Sequence, residues 1–172
     1  MHIVLHEPEI PNNTGNIGRT CVAAGCALHL IRPLGFSTSV KALRRAGLDY
    51  WPRLAPVEHE SFDHYLGTAH PERLWLFTTK SARPMFDATI DPGDHLVFGK
   101  ETRGLPDEFL ARFPDRLVSL PMLPGERSLN LATAVCAAVY VGVGDMRRRG
   151  LARLSPDGRL ASWTRAQRPG GA

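Results

Sequence analysis

The feature that most limits how this chain can fold is a regular alternation of short apolar runs with longer segments of helical pattern. Runs rich in strand-forming residues fall at 2–6, 28–32, 54–59, 73–79, 95–99 and 117–120, and helix-patterned segments at 14–25, 39–47, 61–69, 106–112 and 128–148. Strands alternating with helices at this spacing predict an α/β fold around a mainly parallel sheet. Several runs are apolar at every position, such as Leu74-Trp75-Leu76-Phe77 and Leu96-Val97-Phe98. A strand apolar on both sides needs cover on both, so helices are expected on both faces of the sheet. The 172 residues suit one compact domain, read as 1–148, with an arginine-rich tail at 149–172 that is either a contact surface or partly disordered.

Charge is distributed unevenly. Residues 1–144 carry 14 Lys+Arg against 15 Asp+Glu, whereas 145–172 carry seven Arg against two Asp, so the whole formal excess of +4 belongs to the tail. Such a tail suits a polyanion, because neutralised phosphates release counterions. A solvated terminus has the same composition, and charge alone does not choose between the two. Cys21, Cys26 and Cys136 have no metal-type spacing with histidine, so they read as reduced thiols of a cytoplasmic protein without a metal. The opening residues read as a strand rather than a signal peptide. The longest mostly apolar stretch, 131–144, is shorter than the roughly 20 residues of a membrane span, so no membrane association is expected.

Ligands of parallel α/β sheets sit where strand C-termini meet loops, and three such loops stand out. The first, Pro8 to Thr20, has two prolines, then Asn13 or Thr14 placed to cap the coming helix, with Arg19 in its early turns. Its glycines do not fit a dinucleotide-binding fingerprint. The second, Gly99-Lys100-Glu101-Thr102-Arg103-Gly104-Leu105-Pro106, follows a strand directly. Gly99 is expected to let a ligand approach the backbone, and Gly104 to allow a tight turn. A phosphate-binding P-loop is excluded by spacing and by Glu101 where a magnesium-holding hydroxyl belongs. The third runs from Leu120 through Met122 and Arg127 to Ser128, Leu129 and Asn130. Ser128 reads as a helix N-cap, no nucleophile elbow surrounds it, and Asn130 opens an apolar helix where an amide needs a specific partner.

In this order and spacing the loops resemble the three motifs of the SPOUT superfamily of RNA 2′-O-methyltransferases: Pro11 to Arg19, Gly99 to Leu105, and Arg127 to Leu131. The opening strand and loop, the stretch from Leu43 to Tyr50, and Phe77-Thr78-Thr79-Lys80 look like the small, single-domain tRNA (cytidine(34)-2′-O)-methyltransferase branch, which modifies the wobble ribose of certain leucine tRNAs. The resemblance covers roughly residues 2–146. It implies a SPOUT-type fold with a C-terminal trefoil knot, S-adenosylmethionine as methyl donor without a metal, an antiparallel homodimer whose site is completed across the interface, and a tRNA anticodon stem-loop as partner. Knotted chains are so rare that the alternation by itself suggests none.

Carried over residue by residue, the resemblance assigns catalysis to Arg19, Ser128 and Asn130. Cofactor contacts fall to Phe77, Thr78, Gly99, Glu101, Gly104, Leu120, Met122 and Ser128. Asn13 is expected to orient Arg19, and Lys80 and Arg127 join these two on the RNA side. An arginine, with a pKa above about 12, is a poor general base near neutrality. Arg19 is therefore expected to clamp a phosphate and ease ionisation of the 2′-hydroxyl. Two positions depart from the family pattern: Lys100 puts a cation beside Gly99, and Gly18 stands where a bulkier aliphatic residue precedes Arg19. Other readings are the same chemistry on ribosomal RNA or another tRNA position, and a non-catalytic RNA-binding protein of this fold.

Overall fold

The computed structural model describes residues 1–37 and 50–163. The predicted helix at 39–47 and most of the stretch from Leu43 to Tyr50 lie outside those residues. Six strands form one sheet in the order β3-β2-β1-β5-β4-β6, with every pairing parallel. They are β1 (His2–His6), β2 (Ala27–Ile31), β3 (Val57–His59), β4 (Leu74–Phe77), β5 (His95–Phe98) and β6 (Leu117–Val118). Among the described residues, five helices connect or cover them: α1 (Pro11–Ala24), α2 (Trp51–Leu54), α3 (Phe62–Ala69), α4 (Asp107–Arg112) and α5 (Leu131–Arg148).

The doubly apolar strands behave as their composition requires. On one face Ile3, Leu5, Trp75, Phe77, Leu96 and Phe98 pack with Ile17 and Cys21 of α1 and with Val135, Val139 and Met146 of α5. On the other, Val4, Leu74, Leu76 and Val97 pack with Phe62 and Tyr65 of α3 and Phe109 of α4. Successive side chains point to opposite faces, so β1, β2, β4 and β5 each feed both cores.

Strand order positions the site. β1 lies between β2 and β5, so the chain's progress across the sheet reverses there, and this is where α/β folds open a crevice beyond the strand ends. The loops after β1, β5, β4 and β6 therefore emerge side by side, although far apart in sequence.

Two helix starts differ from expectation. α1 begins at Pro11, with Ile10 as N-cap and no side-chain cap, because proline's fixed φ and missing N–H suit the first helical position. Asn13 and Thr14 thus lie inside the first turn and are not caps. α5 begins at Leu131 rather than Ser128, and its N-cap is Asn130, whose Oδ1 accepts from the backbone N–H groups of Ala132 and Thr133 at 2.9 and 3.2 Å.

Of the arginine-rich tail, the stretch up to 163 has regular structure. β7 (Ala152–Leu154) and β8 (Leu160–Trp163) form an antiparallel pair. Arg149 is tied to Asp91 at 2.6 Å and to Asp145 at 2.8 Å. Arg165 and Arg168 lie outside the described residues. No helix among the described residues is long and apolar enough to cross a membrane.

Candidate active site

A cavity of about 590 Å³ opens where these loops converge, within the range that holds a nucleoside-sized ligand. Phe77, Thr78 and Lys80 line it from the β4 loop, and Gly99, Glu101 and Gly104 from the β5 loop. Leu120, Met122, Arg127, Ser128 and Asn130 line it from the segment leading to α5, and Asn13 from α1. Twelve of the thirteen predicted site residues thus border one space. The exception is Arg19.

One polar network ties the three loops together. Glu101 accepts three N–H donors from the first loop: Glu9 N at 2.8 Å, Ile10 N at 3.3 Å and Asn13 Nδ2 at 2.9 Å. With its amide nitrogen committed to Glu101, Asn13 turns Oδ1 toward Asn130, whose Nδ2 donates at 3.0 Å. Asn130 has its own carbonyl fixed by the N-cap bonds to α5. Each donor leaves one acceptor for the next, so both amide orientations follow from the pattern. Glu9, unnoticed in the sequence, returns the clamp by accepting from Thr102 N and Thr102 Oγ1, each at 3.0 Å. No local pattern could reveal a pairing that spans 93 positions.

Gly104 serves the turn expected of it, and Gly99 answers a packing demand within its own loop. A Cβ on Gly99 would stand 2.0 Å from the Gly104 carbonyl carbon and 2.2 Å from Leu105 N. Gly99 is thus closely approached by its own loop, at a position that also borders the cavity. Gly104, at φ +69, supplies the left-handed residue that closes this turn. Gly18, the departure from the family pattern in α1, is a packing position. A Cβ there would meet Leu54 at 2.9 Å and Trp51 at 3.1 Å, so its absence lets the short α2 dock tightly.

Arg19 is exposed and lies with its guanidinium carbon 5.0 Å from the centre of the Tyr50 ring. The Tyr50 hydroxyl donates to the Gly15 carbonyl, fixing that ring against α1. Six residues along a helix advance about 600°, so Arg19 and Asn13 face different directions. Asn13 accordingly bonds Glu101 and Asn130 and does not orient Arg19 within one chain. Lys80 is paired with Asp107, which offsets its charge, whereas Arg127 is exposed at the cleft rim. Lys100 is likewise paired, with Nζ 2.6 Å from Glu7 Oε2.

A second polar cluster runs across the sheet from the first residues of β1 and β5, through the middle of β2, to the last residue of β3. His2 Nδ1 is 3.0 Å from His29 Nε2, and His29 Nδ1 is 3.0 Å from His59 Nε2. His95 Nδ1 lies 2.6 Å from the Tyr65 hydroxyl. One nitrogen each from His2, His29 and His95 falls within a 4.8 Å set, which raises the question of a metal. The His2 and His95 rings are stacked at 4.1 Å with 6° between their planes. In-plane lone pairs of parallel, separated rings do not meet at one point, so these two imidazoles cannot share an ion without one ring turning. Burial, reinforced by neighbouring histidines, lowers His29 to about 4 and His95 to about 3, so the cluster is a neutral hydrogen-bonded chain at physiological pH. The cysteines are all free, and burial pushes the Cys21 and Cys26 thiols up, away from reactivity.

Comparison with known proteins places this architecture. Residues 1–140 match the SpoU rRNA Methylase family. A tRNA (cytidine(34)-2'-O)-methyltransferase of Saccharophagus degradans is 51% identical over 140 residues, covering 81% of this chain and 91% of that protein. A solved structure described as "Structural insights into the 2-OH methylation of C/U34 on tRNA" superposes with a TM-score of 0.79 at 46% identity, covering 86% of this chain and 97% of the other. The fold also matches the SpoU methyltransferase AviRb from Streptomyces viridochromogenes in complex with AdoMet, with a TM-score of 0.74 at 24% identity over 89% of this chain and 59% of that one. A parallel α/β sheet with its cleft at the strand ends is the frame of a methyltransferase of the SPOUT kind. The chain belongs to the SpoU methylase family.

Proposed function

We propose that this protein methylates the ribose 2′-hydroxyl of the tRNA wobble nucleotide, cytidine or uridine 34, using S-adenosylmethionine. The observation that carries this reading is the Glu101–Asn13–Asn130 chain, which gathers three sequence-distant loops around one nucleoside-sized cavity. The walls fit such a donor. Phe77, Leu120 and Met122 offer apolar surface to a purine, and the exposed Ser128 and Asn130 place polar atoms at the rim. Bound there, the donor would supply a methyl group on a cationic sulfur to the ribose oxygen, with the hydroxyl proton lost to solvent and the neutral thioether as leaving group. Glu101 and Asn13 hold the loops so that this space keeps its shape, which is the positioning such a transfer depends on. Asn130, with its amide fixed, presents a rigid polar edge toward the ribose.

Arg19 enters the reading through a second copy of the chain. Its position outside the cleft fits an antiparallel homodimer in which each copy's Arg19 reaches the other's site, clamps a phosphate and favours the 2′-oxyanion. Exposed apolar side chains support such a face: Ile10 and Leu129 at the cleft, Leu123 on the loop before α5, and Tyr140 on α5. The trefoil knot, in which the C-terminal segment threads through a loop, belongs to the same reading. Arg127 and the arginines of the tail serve the anticodon stem-loop, in the cytoplasm where tRNA is found. The test is incubation with total cellular RNA and isotope-labelled S-adenosylmethionine, then digestion and mass spectrometry of the labelled nucleotide. Label on the 2′-oxygen of tRNA position 34 is expected, and label confined to ribosomal RNA or another tRNA position overturns the substrate assignment.

A further inference from the structure

Lys100 borders the cleft, and its ammonium is 2.6 Å from Glu7 Oε2. The two side chains are comparably covered, at 27% and 25% exposure, so the pair is only partly open to screening. Glu7 does not line the cavity. It follows β1 with φ at 50°, a left-handed value that a residue with a Cβ seldom adopts, and its N–H is held by the Ile31 carbonyl at 2.9 Å. His6 Nε2 stands 3.6 Å from the other Glu7 oxygen. The neighbouring anions are engaged differently: Glu101 by three N–H donors and Glu9 by the Thr102 N–H and hydroxyl. Glu7 is thus the carboxylate that meets the Lys100 ammonium, and it does so from outside the ligand space.

We propose that Glu7 is a positioning residue that sets cofactor selectivity: by cancelling Lys100 it keeps the cleft from rejecting the sulfonium donor in favour of the neutral thioether product. This rests on the methyl-donor reading above. Donor and product share the adenosine and the amino-acid group and differ by one methyl and one positive charge at sulfur. A wall contact acts on both equally, whereas an uncancelled ammonium opposes only the charged one. The structure thereby accounts for a lysine beside Gly99 in a site for a cation. The charge is imported together with its counter-ion.

The experiment is calorimetric titration of the full-length protein with S-adenosylmethionine and, separately, S-adenosylhomocysteine. It is run on wild type, Glu7→Gln, Lys100→Met and the double variant, with melting temperature as the check on folding. Glu7→Gln is expected to weaken the sulfonium ligand roughly three- to tenfold, the scale of one partly screened charge at the cleft wall, and to leave the thioether unchanged. Lys100→Met should strengthen the sulfonium ligand, and the double variant should restore the wild-type ratio. An equal loss for both ligands in Glu7→Gln makes Glu7 a structural clamp and overturns the proposal, as does an unchanged ratio. Failure of wild type to bind either ligand instead overturns the methyl-donor reading itself.

Discussion

Asn130 donates its side-chain amide to Asn13 Oδ1 at 3.0 Å across 117 positions of sequence, while its own oxygen caps α5. One residue thus joins a structural duty to a site duty, and the two can be separated. Asn130→Ser keeps a capping oxygen and loses the link, so it should melt within about 1 kcal/mol of wild type, whereas Asn130→Ala also forfeits the cap, worth about 1 kcal/mol more. Both should lose methyl transfer to a similar degree. Thermal melts with single-turnover assays check this, and full activity in Asn130→Ser would show that the link to Asn13 is dispensable.

The histidine chain predicts an acid-labile fold. His29 and His95 titrate at about 4 and about 3 in the folded chain because burial disfavours their charged forms, against 6.5 for the free side chain. Between those values the folded state binds fewer protons than the unfolded state. Stability is therefore complete above about pH 6.5 and declines as pH falls toward about 4, by at most about 1.4 kcal/mol per pH unit for each such histidine. His2, His59 and Tyr65 face this pair, and none is a carboxylate that could compensate. Urea midpoints at about pH 7 and about pH 5 should separate more in wild type than in His29→Gln, which removes one titrating ring.

Much of this was legible in the sequence because it is local. The doubly apolar strands announced a covered parallel sheet, and three loops at strand ends announced the site. What the sequence concealed is non-local. Pro11 starts α1 without a cap, so Asn13 is released to reach Glu101. Glu9 and Glu7 look like ordinary surface acids until the fold sets them against Thr102 and Lys100. Gly99 reads as room for a ligand and Gly18 as a departure from the family pattern, yet each is a place where another part of the chain presses in. The placement of Arg19 outside the cleft follows from helix rotation, which no motif spacing expresses.

Gly18→Ala sets two effects against each other. Alanine is the better helix former by about 1 kcal/mol. Its Cβ, however, would stand 2.9 Å from Leu54 Cδ2, 3.1 Å from Trp51 and 3.3 Å from Tyr50. Trp51 and Tyr50 are buried, and the Tyr50 hydroxyl is held by Gly15, so the rings cannot yield without breaking that bond. Overpacking of this kind costs about 1–3 kcal/mol and should prevail. A lower denaturation midpoint with a displaced Arg19–Tyr50 contact is expected, and a stabilised variant would show that α2 is free to shift.

Arg19 offers the sharpest test of assembly. If each site takes Asn130 from one copy and Arg19 from the other, Arg19→Ala and Asn130→Ser homodimers are both inactive. A heterodimer of the two variants nevertheless contains one site with both native residues and one with neither. Mixing equal amounts under conditions that exchange subunits should restore about a quarter of wild-type activity, because half of the dimers are mixed and each has one intact site. A site built within one chain gives a different result, since every site then lacks one residue and mixing restores nothing. The readout is methyl incorporation into tRNA as the ratio of the two variants is varied, with the maximum expected at equal amounts.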